Sequence, residues 1–180
     1  GIDHVDLKAC KERNIEVLNC PNYSNVAVSE LVIGLTLNLL RKINQADSAT
    51  RNNQTNSLLI GEELNNKTIG IIGLGKIGNK TANLFSVFGC KVLAYQRKPI
   101  NNPNVTQVTL DELLSQSDII SLHIPYNKET YHFIDEDKIN TMKKGAILIN
   151  CARGPVVDNV ALAKALNEER IKGAGIDVFD

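Results

Sequence analysis

From residue 64 onward, short blocks that are almost wholly apolar ("IGIIG", "DIISLHI", "AILIN") alternate with longer stretches whose apolar positions keep a helical period. The pattern predicts strands near 68–73, 91–95, 105–108, 118–124, 146–150 and 174–178, with helices over 76–88, 110–116, 135–142 and 158–170. Near-continuous apolar strands belong to a parallel sheet covered on both faces. Strands alternating with helices therefore predict a doubly wound α/β fold with a parallel sheet. Local signals agree: Thr109 followed by Glu112 forms a capping box, Asp158 suits an N-cap, and Gly89 closes the first crossover helix. Upstream, the pattern gives a short helix from Asp6 to Arg13, a short strand "IEVLN", a turn "CPNYSN", a long helix over 25–43 and a polar connector over 44–63.

Composition narrows the function. Apolar residues make up 43% and charged residues 22%, and 20 basic residues balance 20 acidic ones. Zero net charge argues against a nucleic-acid or membrane-surface partner. The most apolar stretch, "VAVSELVIGLTLNLLRKI", is interrupted by Ser29, Glu30, Thr36 and Asn38, so it predicts a buried helix rather than a membrane span. Cysteines 10, 20, 90 and 151 and histidines 4, 123 and 132 have no metal-ligand spacing. No metal site is expected, and reduced thiols point to the cytoplasm. The chain starts at Gly1 without a methionine and stops at "GIDVFD", so a fragment is expected.

The richest motif is "IGIIGLGKIGNKTANLFSVFGCKVLAYQRKP". Gly73, Gly75 and Gly78 form G-x-G-x-x-G between a strand and a helix. Gly73 permits the tight turn, Gly75 lets a pyrophosphate approach the backbone, and Gly78 lets helix and strand pack closely. The helix N-terminus then holds the phosphates, with Lys76 and Ile77 at the turn. This is a Rossmann dinucleotide site. Beyond the second strand, NAD enzymes usually place an acidic residue to grip the ribose; here stand Gln96, Arg97 and Lys98. Gln96 would not repel a 2′-phosphate and the basic pair could bind one, which favours NADP(H) over NAD(H).

Together with "GIDHVDLKAC", "NCPNYSNVAVSELVIG", "SDIISLHIPYNKETYHFID", "MKKGAILINCARGPVVD" and "GAGIDVF", this stretch gives the whole chain a resemblance to the D-isomer-specific 2-hydroxyacid dehydrogenases. In that family two α/β domains flank a cleft. The resemblance implies that 1–20 is the tail of a flavodoxin-like substrate domain, 21–25 a hinge and 25–180 most of the NAD(P)-binding domain. It implies hydride exchange between a nicotinamide and C2 of a small 2-hydroxy or 2-keto acid. It also implies a homodimer formed through the cofactor domain, with help from the helix at 25–43.

Residue by residue, the resemblance makes Arg153 the catalytic arginine, a fork able to fix a carboxylate and polarise a carbonyl. Asp177 receives the nicotinamide carboxamide. Ile124, Pro125 and Thr130 surround the cofactor, Cys151 and Arg153 make backbone contacts to it, and Tyr23 borders the substrate. His123 is expected to be structural. The family's Glu–His proton relay has no counterpart here: Asp180 falls short of the glutamate position, and no histidine follows His132. The chain is therefore expected to bind a dinucleotide without turning over substrate. Two rivals remain at this stage: a regulatory module that senses dinucleotide redox state, and a nucleotide- or S-adenosylmethionine-binding domain.

Overall fold

The computed structural model describes residues 4–20, 22–54 and 59–179. Pro21, within the expected hinge, and Asp180 lie outside the described residues. Six strands form one parallel sheet: β1 (Thr68–Ile72), β2 (Lys91–Tyr95), β3 (Thr106–Gln107), β4 (Ile119–Leu122), β5 (Ile147–Asn150) and β6 (Gly173–Ile176). Their order is β3-β2-β1-β4-β5-β6, and each neighbouring pair is parallel. The chain winds outward from β1 in one direction and then, from β4, in the other. The switch between β1 and β4 opens a crevice at the carboxyl ends of the strands.

Alternation along the strands sorts two cores onto opposite faces. Ile69, Ile71, Ile119, Ile147 and Ile149 pack under α2 (Asn25–Arg41) and α4 (Lys76–Val87), beside Val32, Leu40 and Phe85. Ile72, Ile120, Leu122 and Leu148 pack under α5 (Leu110–Gln116), α6 (Glu136–Thr141) and α7 (Asn159–Asn167). The expected start signals are present. Thr109 and Glu112 exchange both capping-box bonds, and Asp158 accepts the N–H groups of Val160 and Ala161. Gly89, at φ +76°, donates its N–H to the Ser86 carbonyl just past α4.

Three expectations are corrected. "IEVLN" forms no strand: among the described residues it has no ladder partner, and Ile15 and Leu18 are exposed. Without a neighbouring strand its apolar alternation has nothing to pair with. The polar connector begins instead with a helix, α3 (Ile43–Arg51). Lys42 adopts the left-handed conformation at φ 54°, breaking α2 from α3, and Asn38 Oδ1 accepts the Asn44 N–H at 3.0 Å. No residue of α3 is buried, so an apolar periodicity could not reveal it. The third strand contracts to Thr106–Gln107, a pair at the sheet edge. Among the described residues before α2, the regular element is α1 (Leu7–Glu12), in which no residue is buried. No helix among the described residues is long and apolar enough to cross a membrane.

Candidate functional site

The glycine turn joins β1 to α4 at the switch point, and its three glycines differ in what a side chain there would meet. Gly73 has φ +94°, a region L side chains rarely adopt, and a Cβ there would press on the His123 carbonyl. A Cβ on Gly78 would collide with the Gly73 carbonyl. A Cβ on Gly75 would meet nothing within 4 Å, so the protein itself does not require glycine at that position. Gly75 is also the N-cap of α4 and makes no side-chain capping bond. The first-turn amides and the positive end of the helix therefore face an exposed hollow that suits a diphosphate.

Two cavities flank this turn and share Ile124 and Pro125 as a common wall. The smaller, about 190 Å³, brings together Gly73, Gln96, Arg97, Ile124, Pro125 and Thr130. Tyr95, Asn127, Glu129 and Phe133 complete it; these four carry no local sequence signal. Lys98 stands exposed outside both walls, and its carbonyl accepts Gln107 Nε2 at 3.2 Å. Gln107 also accepts the Ile100 N–H at 3.0 Å and donates to the Gln96 carbonyl at 3.2 Å, so the edge strand fixes the 96–100 loop. On the opposite wall Thr130 Oγ1 donates to the Pro125 carbonyl at 2.7 Å and accepts the Asn127 N–H at 2.8 Å. The Thr130 hydroxyl is thus used in shaping its loop.

The larger cavity, about 490 Å³, collects Tyr23, Ile77, His123, Cys151, Arg153 and Asp177 from separate segments. Asn150, buried at the end of β5, organises this side. Its Nδ2 donates to the Arg153 carbonyl at 2.9 Å, its Oδ1 accepts the Ala152 N–H at 3.0 Å, and its own carbonyl accepts the Asp177 N–H at 3.1 Å. One asparagine thereby fixes the backbone of both the arginine and the aspartate. Sequence reading missed it; the only trace is a polar residue closing the apolar run "AILIN". Arg153 Nη1 donates to the Ala152 carbonyl at 2.7 Å.

Burial sets the protonation of two wall residues. His123 Nε2 is hydrogen-bonded to Ser121 Oγ at 2.9 Å, and burial pushes the ring pKa down to about 4. At neutral pH the ring is uncharged. Burial and then the nearby Asp177 carboxylate push the Cys151 thiol up to about 12, so it is a protonated wall rather than a nucleophile. Cationic Arg153 and anionic Asp177 are the charged groups lining this cavity. Such a pair can seat an anionic oxygen and an amide donor side by side.

Comparisons with known proteins find relatives along the whole chain. The family described as D-isomer specific 2-hydroxyacid dehydrogenase, NAD binding domain, matches residues 33–180. The chain is 45% identical over 190 residues to a glyoxylate reductase of Thermofilum pendens, covering 100% of this chain and 56% of that protein. A solved structure of D-lactate dehydrogenase from Aquifex aeolicus, complexed with NAD and lactic acid, superposes with a TM-score of 0.89 at 40% identity, covering 100% of this chain and 56% of that one. An acyclic imino acid reductase, Bsp5, in complex with NADPH and D-Arg, superposes with a TM-score of 0.88 at 40% identity, covering 97% and 57%. The chain spans about half the length of the curated relatives it matches.

Proposed function

The chain belongs to the NAD-binding domain of the D-isomer specific 2-hydroxyacid dehydrogenases, and from that premise we propose that it holds NAD(P)(H) for hydride exchange with a D-2-hydroxy acid or its 2-keto acid. The observation that carries the proposal is the open glycine turn lying between a neutral-walled pocket and the Arg153–Asp177 cavity. The residues present fit a dinucleotide. The turn amides at Lys76, Ile77 and Gly78 take the diphosphate, with room above Gly75. The Gln96–Arg97 wall takes the adenosine half, and Asp177 accepts from the nicotinamide carboxamide.

When bound, the nicotinamide supplies or accepts the hydride. The chain's own residues do the rest. Arg153, held through its carbonyl by Asn150, directs a planar two-oxygen donor at the substrate and stabilises charge growing on the C2 oxygen. Ile77, Ile124 and Val178 supply apolar wall to the same cavity, which limits water there. Among the described residues lining the cavity, His123 is unsuited to protonating the nascent alkoxide, because it is neutral and bonded to Ser121. On the family pattern the relay glutamate follows the "DVF" stretch and the histidine lies farther on, residues 1–20 are the tail of the substrate domain, and this chain by itself binds cofactor without turnover. The lack of any buried residue in α1 supports assigning that helix to a second domain.

Four finer points rest on the same grounds. Gln96 carries no negative charge and Arg97 lines the pocket, which keeps NADP(H) ahead of NAD(H) as a ligand; the family description and the NAD-bound relative speak for NAD(H), the NADPH-bound relative for the alternative. A second copy docks on α2, where Val26 and Leu31 are exposed. The four cysteines are unpaired, as suits a reducing cytoplasm. The substrate is a small 2-hydroxy or 2-keto acid, with no nucleic acid or membrane partner. Titration of the chain with NADH and NADPH, followed by cofactor fluorescence, tests the core of the proposal. Saturable binding of either, lost in Gly75→Ala, is expected; no binding of either overturns it.

A further inference from the structure

We propose, resting on dinucleotide binding in this cleft, that Glu129 sets the balance between NADP(H) and NAD(H) by competing with a cofactor 2′-phosphate for Arg97. The two residues stand on facing walls of the adenosine-side pocket. Arg97 follows β2, and Glu129 lies in the loop after β4. Arg97 Nη1 lies 3.5 Å from Glu129 Oε2, across 32 residues of chain. All other residues lining the pocket are uncharged, so its electrostatic character is set by this pair.

Both backbones are held in place. Gln107 bonds the carbonyls of Gln96 and Lys98 on either side of Arg97. Asn127 Oδ1 accepts the N–H groups of Glu129 and Thr130 at 2.8 and 3.1 Å. The side chains themselves are 85% and 77% exposed, so the pair contributes little to stability but is free to exchange partners. A phosphate monoester carrying nearly two charges binds a guanidinium more strongly than a carboxylate does. To do so here it must take Arg97 from Glu129 and then sit beside the released carboxylate. Glu129 thus lowers affinity for a 2′-phosphate while leaving a plain ribose almost unaffected. Two hydroxyls bring no charge to repel, and a carboxylate can accept from them. A basic residue where a ribose-binding acid is expected therefore does not commit the site to NADP(H), because a negative charge is supplied from another loop.

The test is titration of the wild-type chain and of Glu129→Gln, Arg97→Gln and the double variant with NADH and NADPH, at low and high salt. Equal thermal unfolding of all four confirms intact folds. Glu129→Gln should tighten NADPH about three- to tenfold and change NADH less than about twofold, with the gain shrinking as salt screens it. Arg97→Gln should weaken NADPH by a similar factor, and without Arg97 the gain from Glu129→Gln should be smaller, because only direct repulsion is then relieved. An NADPH/NADH ratio unmoved by Glu129→Gln, or a gain undiminished without Arg97, overturns the competition for Arg97 while leaving dinucleotide binding intact. Absence of binding by the wild type overturns both.

Discussion

The carbonyl oxygen of Gly73 fills the space that a Cβ on Gly78 would take. The start of α4 is thereby pressed directly against the turn that precedes it, whereas Gly75, midway between the two, faces open space. One glycine of the motif serves packing, and another serves a ligand.

Replacement separates these roles. Gly78→Ala should cost about 1–3 kcal/mol by overpacking, lowering the unfolding temperature by several degrees. Gly75→Ala should unfold within about a degree or two of wild type yet weaken NADH at least about tenfold. Calorimetry and cofactor titration read the two effects. Equal destabilisation by both variants would remove the distinction.

At the other end of the cleft, Arg153→Ala in the protein carrying both domains should reduce kcat by about a hundredfold or more, with NADH affinity within about threefold of wild type. Near-normal turnover would take Arg153 out of the chemistry. Asn150→Ala leaves the part-buried Arg153 carbonyl and Ala152 N–H without their side-chain partner. It should cost about 1–3 kcal/mol and lower turnover through misplacement of Arg153.

His123 makes stability depend on pH. Its folded pKa of about 4 lies below the ordinary value of 6.5, so below pH 6.5 the unfolded chain binds the extra proton. Its contribution is fully present above pH 6.5 and is lost as pH falls toward 4. The size is on the order of 3 kcal/mol. Urea midpoints across this window should slope steeply in wild type and less in His123→Gln. Parallel slopes would show that the ring titrates normally.

The thiols should sort by burial. Cys151 is pushed up to about 12 and Cys90 to about 11, whereas Cys20 is exposed. Alkylation at pH 8 should modify Cys20 in the folded chain and reach Cys151 and Cys90 only after denaturation. Mass spectrometry of the labelled peptides decides it; early labelling of Cys151 would mean that the β5 end opens readily.

What was legible in the sequence is what depends on neighbours along the chain. The buried strands announce themselves as apolar runs, the Thr109–Glu112 box as a spacing of three, and the turn as three glycines. Gly73, Gln96, Arg97, Ile124, Pro125 and Thr130 then meet in one pocket, and Ile77, Cys151, Arg153 and Asp177 in the other. What escaped depends on distant partners. "IEVLN" has the composition of a strand but, among the described residues, no strand beside it. α3 buries nothing and so leaves no apolar stripe. Gln107 and Asn150 act by hydrogen bonds to backbone, and Glu129 meets Arg97 only once β2 and β4 are in place. No spacing along the chain encodes those meetings.

The helix α2 precedes every strand, yet it packs against β6, the last of them. Its Leu35 and Leu39 lie over Gly175 and Gly173, whose missing side chains leave a flat seat. On a ribosome, α2 must wait for some 130 further residues, roughly ten seconds or more of synthesis, before that seat exists. Throughout this interval Val32, Ile33 and Leu40 have only part of their final cover. The α2 face should therefore stay partly uncovered on a nascent chain until β6 arrives to complete its seat.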